Sequence, residues 1–253
     1  MMRSFFAVVA IVACGISYGF SVLAADEEPE AAQEDSSAGL PEDYAKNYLI
    51  AASTLSPDKK FAVIYPTLEA EEAAENSNHP ERIKNYLVAL QPFAVVKPLE
   101  TKWPYFQHES HGGISAQWSN DSSVALITLD SKWGPQDVFL AEFRDGKLSR
   151  ITNILRKAHD LLMPSWRKSK AERYNDYFDF VFVEDASFEL EGTSRVVIDA
   201  SAETSPNITD DMLRSSDRTW RGHVKATWDI AQATFTSKGV SGSLRKKGKE
   251  TLD

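Results

Sequence analysis

The stretch SAQWSNDSSVALITLDSKWGPQDVFLAEFRDGKLSRIT, residues 115–152, decides the fold. A polar turn at 119–122 precedes a short apolar run, and a Gly-Pro break at 134–135 and an Asp-Gly pair at 145–146 separate it from two further runs. Short apolar or alternating runs divided by Gly, Pro, Asn and Asp are typical of antiparallel strands. The stretch therefore predicts a three-stranded antiparallel unit. Its predicted strands are residues 124–129, 137–143 and 147–151.

The same order of features occurs 63 residues earlier in the chain. Ser56-Pro57-Asp58 aligns with Ser119-Asn120-Asp121, and each turn is followed by an apolar strand, a variable loop, a second strand, a short break and a third strand. The strands predicted for the earlier copy are residues 61–65, 85–90 and 93–96. Residues 44–152 are therefore predicted to hold two copies of one meander.

The later copy resembles the blades of TolB-like and WD40-like β-propellers. Residues 118–122, WSNDS, are similar to the W-S-P-D-G start of such a blade, with Asn for Pro and Ser for Gly. Residues 145–152, DGKLSRIT, are similar to its D-G…L-T end, which the earlier copy lacks. The resemblance covers residues 56–152 and implies blade-type sheets that serve as an interaction surface. Because a closed propeller needs about four or more blades, two units predict a sheet assembly of another shape.

The spacing of apolar residues along the chain changes after residue 152. Apolar residues at three- and four-residue spacing predict an amphipathic helix over 153–174, which Pro164 should stop or kink near Met163. Strand patterns follow at 178–184 and 194–202, with a hairpin centred near Gly192. The alternating run at 219–236 contains one phase slip, which indicates a bulge in a single long strand.

These patterns predict an α+β fold that is predominantly antiparallel β. It consists of two propeller-blade-like meanders, a helical segment near 153–174 and a three-stranded antiparallel C-terminal part. The predicted single domain spans 44–237, with the repeats at 44–152 and the C-terminal β part at 177–237. Residues 26–43 carry eight acidic side chains and predict a flexible linker, and 238–253 predict a flexible basic tail.

The first 25 residues have the pattern of a secretory signal peptide. Arg3 precedes an apolar run at 5–23, and small residues allow cleavage after Ala24 or Ala25. The sequence therefore predicts a periplasmic or secreted protein. Two alternatives place it at a membrane: an uncleaved signal, or a lipoprotein anchored at Cys14. Cys14 is the only cysteine, so a chain cleaved after Ala24 has no disulfide and no thiolate ligand.

Composition restricts the partners. The net charge of −9 disfavours nucleic acid, which is bound by basic surfaces. An aromatic loop at 97–113 and the 133–135 break are better candidates for a ligand site, because binding residues concentrate in loops. The predicted ligand-binding residues are Trp103, Tyr105, Phe106, His108, His111 and Trp133. The alternative for the aromatic residues is packing against the ends of the sheets.

No motif in the chain indicates a catalytic residue, a cofactor or a metal site. His108 and His111 are three residues apart, whereas zinc sites need three or four protein ligands. The sequence therefore predicts an exported, non-enzymatic binding or scaffold protein of the periplasm or cell surface, with an unknown protein or carbohydrate ligand. The alternative is a hydrolase of envelope polysaccharide or peptide that uses His108 and His111 together with a carboxylate.

Overall fold

The computed structural model describes residues 34–77, 79, 83–101, 108, 111–169, 180–183, 185–204 and 218–246. The helices are α1 Glu42–Ala45, α2 Leu68–Asn76 and α3 Ile154–Ser169, and a 3-10 turn spans Ala52–Thr54. The strands are β1 Tyr48–Ile50, β2 Phe61–Pro66, β3 Tyr86–Leu90, β4 Phe93–Pro98, β5 Ile114–Trp118, β6 Val124–Ser131, β7 Gly134–Arg144, β8 Lys147–Asn153, β9 Phe180–Phe182, β10 Ser187–Glu191, β11 Arg195–Thr204, β12 Arg218–Asp229 and β13 Thr234–Lys246. The predicted signal peptide lies outside the described residues.

The strands form three antiparallel sheets within one compact unit, Gln33–Asp253. The first sheet has the order β1-β2-β3-β4 and the second sheet has the order β5-β6-β7-β8. The third sheet has the order β10-β11-β12-β13, with β9 paired to β11. A predominantly antiparallel β structure with few helices is thereby confirmed.

The second sheet lies between the other two and is buried on both faces. Along β6, Val124 and Leu126 face the core shared with α3 and the third sheet. Ala125, Ile127 and Leu129 face the core shared with the first sheet. Successive strand residues point to opposite faces, so a strand covered on both sides needs the continuous apolar run at 124–129.

The two aligned turns have the same hydrogen bonds. Ser56 Oγ donates to Asp58 Oδ1 and accepts from the amide of Phe61, and Ser119 Oγ donates to Asp121 Oδ1 and accepts from the amide of Val124. The backbone is also equivalent, because Ser56 N donates to the Phe61 carbonyl and Ser119 N donates to the Val124 carbonyl. The two copies of the repeat are therefore equivalent in the individual hydrogen bonds of their turns.

The two turns also contact each other, since the amide of Asp58 donates to Ser122 Oγ at 3.2 Å. Beside them, Trp118 stacks on Phe61 and Phe143, with ring centroids 6.3 and 5.6 Å away. The Trp118 indole donates to the carbonyl of Thr54 at 2.9 Å. Trp118 thus joins the first two sheets.

Part of the predicted acidic linker has a fixed place on the first sheet. Asp35 accepts hydrogen bonds from the Tyr65 hydroxyl at 2.6 Å and from the amide of Ala52 at 2.8 Å. Leu40 is buried with Tyr48 in a small core on the outer face of this sheet. Residues 34–43 thus make specific contacts with the first sheet, although the composition of this segment alone favours disorder.

The second sheet has four strands, not the three predicted from 115–152. Its additional strand, β5, places Ile114, Ala116 and Trp118 toward the first sheet. Ser115 and Gln117 alternate with them. This alternating pattern is short, and one of its inward residues is the small Ala116, so the sequence alone predicts a strand here only weakly.

Helix α3 continues through Pro164 to Ser169, so the predicted stop near Met163 is wrong. Leu162 and Trp166 are buried on either side of the proline. A proline within a helix removes one backbone hydrogen bond, and burial of these side chains against the second and third sheets offsets that loss. The predicted extension to 174 falls largely outside the described residues.

The described residues of the C-terminal part form five strands, where the sequence predicted three. The predicted single strand at 219–236 is a hairpin of β12 and β13, and the predicted flexible tail is strand as far as Lys246. The phase slip marks a turn at 230–233, where Ala233 has φ 51° and the amide of Gln232 donates to Asp229. A turn without glycine or proline gives little sequence signal. The hairpin near Gly192, with φ 60°, is confirmed.

Candidate binding cleft

A cleft of about 350 Å³ lies between the second sheet and strand β10. It occurs where the apolar face of β6 changes to polar side chains at Thr128 and Asp130, with Ser115 paired opposite Thr128. Residues 186–189 form the facing wall. The lining also includes the apolar residues Pro135, Ala186 and Phe188, so the cleft is bounded by both polar and apolar side chains.

Gln117 connects the two walls of the cleft. Its side-chain Nε2 donates to the carbonyl of Phe188 at 2.8 Å, and its Oε1 accepts from the amide of Leu190 at 2.8 Å. The one side-chain amide therefore makes a donor bond and an acceptor bond to β10, as the N–H and C=O of one residue in a neighbouring strand would. The sequence did not reveal this residue, because its partners lie more than 70 positions away.

Two glycines are close-packed next to residues that line the cleft, Gly112 against Asp130 and Gly134 in front of Pro135. A Cβ atom on Gly112 would lie 1.7 Å from the Asp130 carbonyl oxygen, and one on Gly134 would lie 2.6 Å from the Phe182 carbonyl oxygen. Gly134 also has φ 130°, a conformation that other residues rarely adopt. The amide of Asp130 donates to the carbonyl of Gly113 at 2.8 Å, which fixes the backbone here.

Asp130 and Glu189 are the ionisable groups among the residues that line the cleft. Asp130 is half-buried, and this burial raises the pKa of its carboxyl group. Burial away from water disfavours the charged form of a carboxyl group.

The predicted site residues divide into three groups. Trp133 is 71% exposed, lies two positions from the cleft residue Pro135, and has Lys132 Nζ 5.0 Å from its ring centroid. His108 and His111 are exposed. Trp103, Tyr105 and Phe106 lie outside the described residues. The structure thus places the 133–135 break beside the cleft.

A second polar site lies on the outer face of the third sheet, in a shallow cavity of about 620 Å³. Ser201 Oγ is 3.2 Å from His223 Nδ1, and His223 Nε2 is 3.1 Å from Asp199 Oδ1. With the imidazole proton on Nε2, the ring accepts from the serine and donates to the carboxylate. Lys225 Nζ, at 2.8 Å, donates to the other Asp199 oxygen and lowers the pKa of that carboxyl group.

Strand geometry explains how these groups meet. Asp199 and Ser201 are two residues apart on β11 and share a face, and Ser201 pairs with His223 on β12. The alternating pattern of β11 was visible in the sequence, but its register against β12 was not. Within the described ranges, no group of three or more His, Cys, Asp or Glu side chains is arranged to hold a metal ion.

Comparisons with protein families, with curated proteins and with solved structures find no match to this chain. In the part of the chain that the structure describes, no helix has both the length and the apolar character needed to cross a bilayer.

Proposed function

We propose that this chain is an exported, non-enzymatic binding protein of the periplasm or cell surface, which takes its ligand in the cleft between the second sheet and β10. The observation that carries the proposal is a polar opening between two otherwise close-packed layers, at about 350 Å³. Ligand sites commonly have volumes of about 300–1,000 Å³. Export is supported by the signal-like sequence at 1–25.

The first and second sheets are proposed to be propeller-type blades of the TolB or WD40 kind. Both are four-stranded meanders, and the matching bonds of their Ser-x-Asp turns support a common origin. Such repeats mostly serve as interaction surfaces, so this likeness favours binding, although a fold by itself does not determine a function.

The proposal is tested by recording amide spectra of the ¹⁵N-labelled chain during titration with defined probes. The probes are a mixture of random capped peptides and a series of cell-wall oligosaccharides. We expect one class to shift the amides of Ser115, Gln117 and Phe188 and to be recovered unchanged. Shifts confined to other surfaces, or conversion of the probe at the cleft, would contradict the proposal.

Hydrolysis is a second candidate function, favoured by a separate observation on β11 and β12. There, Ser201, His223 and Asp199 form a continuous hydrogen-bonded row. A histidine held between a serine and a carboxylate can take the serine proton while the hydroxyl oxygen attacks an acyl carbon. This second candidate rests on His223, and the alternative that uses His108 and His111 stays a prediction.

A fluorophosphonate probe, which labels activated serines covalently, tests this second candidate. Mass spectrometry of the labelled chain should find the adduct on Ser201, and Ser201→Ala should abolish it. Ser241→Ala is the matched control, because Ser241 pairs with His223 from the other side and has an exposed side chain. Labelling that is absent, or equal in both variants, would exclude an activated Ser201.

A further inference from the structure

Two hydroxyl groups lie side by side in the cleft. Ser115 on β5 and Thr128 on β6 are direct partners in the second sheet, and both line the cleft. Directly opposed residues of an antiparallel pair have Cβ atoms about 4.5–5.5 Å apart. Within the described residues, neither hydroxyl bonds to another protein group. Because a hydroxyl group can both donate and accept a hydrogen bond, this pair suits a ligand that itself presents neighbouring hydroxyls.

The charge of the cleft lining restricts such a ligand. Among the residues that line the cleft, the ionisable ones are Asp130 and Glu189, and both are acidic. Ser187 Oγ donates to Glu189 Oε1 at 2.9 Å, which holds this carboxylate in place at the cleft. Like charges placed next to each other at a binding site repel. The lining therefore disfavours a ligand that carries carboxylate or phosphate groups and admits a neutral one.

An exposed indole lies next to the cleft, on the turn between β6 and β7. Asp130 pairs with Pro135 and Ser131 pairs with Gly134, so Trp133 is two positions from the cleft residue Pro135. At strand spacing this is about 7 Å of chain. The Trp133 side chain is 71% exposed. A ligand that fills the cleft and extends past Pro135 can therefore reach the indole ring.

The turn that carries Trp133 is held in place by its own bonds and by packing. Ser131 Oγ donates to the carbonyl of Gly134 at 2.9 Å and accepts from the amide of Trp133 at 3.2 Å. The absence of a side chain on Gly134 lets the turn pack against the carbonyl of Phe182 in the third sheet. Binding to groups that are already ordered costs less conformational entropy than binding to mobile ones. The backbone under the indole is thus ordered before a ligand arrives.

A sugar ring matches both features. Its neighbouring hydroxyls donate and accept hydrogen bonds, as the hydroxyls of Ser115 and Thr128 do. The C–H groups on its face carry small positive partial charges, and the face of an aromatic ring is negative, so the two faces attract each other. A peptide lacks neighbouring hydroxyls on a ring, and it gains less from this combination of a hydroxyl pair with an exposed indole.

We propose that the ligand of the cleft is a neutral oligosaccharide. One sugar ring bonds through neighbouring hydroxyls to Ser115 and Thr128, and an adjoining ring packs on the indole of Trp133. This inference rests on the proposed function, because it assumes that the cleft is the binding site.

The test uses neutral linear hexasaccharides of glucose, xylose, mannose and N-acetylglucosamine, with hexagalacturonate as an acidic probe of the same length. Each is titrated into the ¹⁵N-labelled chain, and calorimetry measures its affinity. We expect at least one neutral probe to shift the amides of Ser115 and Thr128 and the indole N–H of Trp133. Hexagalacturonate should bind at least tenfold more weakly because of like-charge repulsion. Equal binding of hexagalacturonate would overturn the choice of a neutral sugar.

Two variants test the contacts. Trp133→Ala should weaken binding of that hexasaccharide about tenfold, because the ring contact is lost. Thr128→Val keeps the shape of the side chain, removes one hydroxyl and should weaken binding about three- to tenfold. The matched controls are Leu68→Ala, an exposed apolar residue on α2, and Thr234→Val, an exposed threonine on β13, and both should bind like the original chain. Unchanged binding in either cleft variant would overturn the inference.

Failure of the inference and failure of the proposed function give different results. If capped peptides shift the cleft amides and the neutral hexasaccharides do not, the cleft remains the binding site and the sugar inference is overturned. If peptides and hexasaccharides shift only amides outside the cleft, both are overturned.

Discussion

At the scale of single residues, Asp137 shows how burial changes the charge state of a side chain. Its carboxyl group is 6% exposed on β7, and burial raises its pKa to about 6, although Asn153 donates a hydrogen bond to it and Arg156 is nearby. The unfolded value is near 3.8. The folded state therefore favours the protonated form of Asp137. Below the unfolded pKa the group is protonated in both states and costs no folding stability. Above the folded pKa it is ionised in both states, and the full loss of folding stability is present.

Asp137→Asn should consequently raise the free energy of unfolding at pH 7.5 by about 1–3 kcal/mol, since one pKa unit corresponds to about 1.4 kcal/mol. At pH 3.5 the variant and the original chain should have nearly equal stability. Urea unfolding at the two pH values measures this. Asp145→Asn, on an exposed turn, should show no such dependence, and an Asp137→Asn variant that is less stable at pH 7.5 would refute the assignment.

The repeated turns give a second residue-scale prediction. Ser119→Ala leaves the amide of Val124 without its hydroxyl acceptor, and Ser56→Ala does the same to Phe61. Loss of a buried hydrogen bond costs about 1–3 kcal/mol, so both variants should lose similar stability in urea unfolding. Ser149→Ala, which removes an exposed hydroxyl bonded to the Glu142 carbonyl, should change stability by less than about 0.5 kcal/mol. A loss in only one of the two turns would contradict their equivalence.

At the scale of elements, α3 and the third sheet meet around Trp220. Its indole covers two glycines: a Cβ on Gly222 would lie 2.1 Å from the ring, and one on Gly242 would lie 2.6 Å from it. Ser165 of α3 is 2.7 Å from that second Cβ position. The glycines allow a fully buried tryptophan to lie flat between strand backbone and helix, which fixes the distance between these two elements.

Gly242→Ala should therefore destabilise the fold, because Trp220 and α3 must both move. Overpacking of a close-packed core costs about 1–3 kcal/mol. Gly239→Ala is a matched control on the same strand, because its nearest neighbour is 3.7 Å away and the methyl group fits. Thermal unfolding followed by tryptophan fluorescence should separate the two, and equal midpoints would show that Trp220 is not packed against these glycines.

Sequence reasoning worked best for elements whose signal is local. The runs at 61–65, 85–90 and 93–96 became β2, β3 and β4, because turn residues and apolar runs lie within the same few positions. It was wrong about the β12–β13 hairpin, where the turn at 230–233 lacks glycine and proline. Of the predicted stop or kink at Pro164, the stop was also wrong, since the helix is held by burial of Leu162 and Trp166, which the local sequence does not specify.

At the scale of the whole molecule, the sheets of the described residues pack in layers, with the second sheet between the other two. Its two faces pack against different neighbours, and the cleft opens where one of those faces turns polar at Thr128 and Asp130. The sequence indicated the region, through the break at 133–135. It could not indicate the opposite wall, because β10 comes next to β5 only through the packing of the third sheet on the second.

The claim that the ligand lies in this cleft is tested most directly by paramagnetic relaxation enhancement. The capped peptide or cell-wall oligosaccharide that binds in the titration is labelled with a nitroxide at one end and added to the ¹⁵N-labelled chain, and signal loss is measured for each amide. The account predicts strong loss at Ser115, Gln117 and Phe188 and none at Val95 or Leu68, which are exposed on elements of the N-terminal repeat. Loss centred on residues outside the cleft, with Gln117 and Phe188 unaffected, would contradict it.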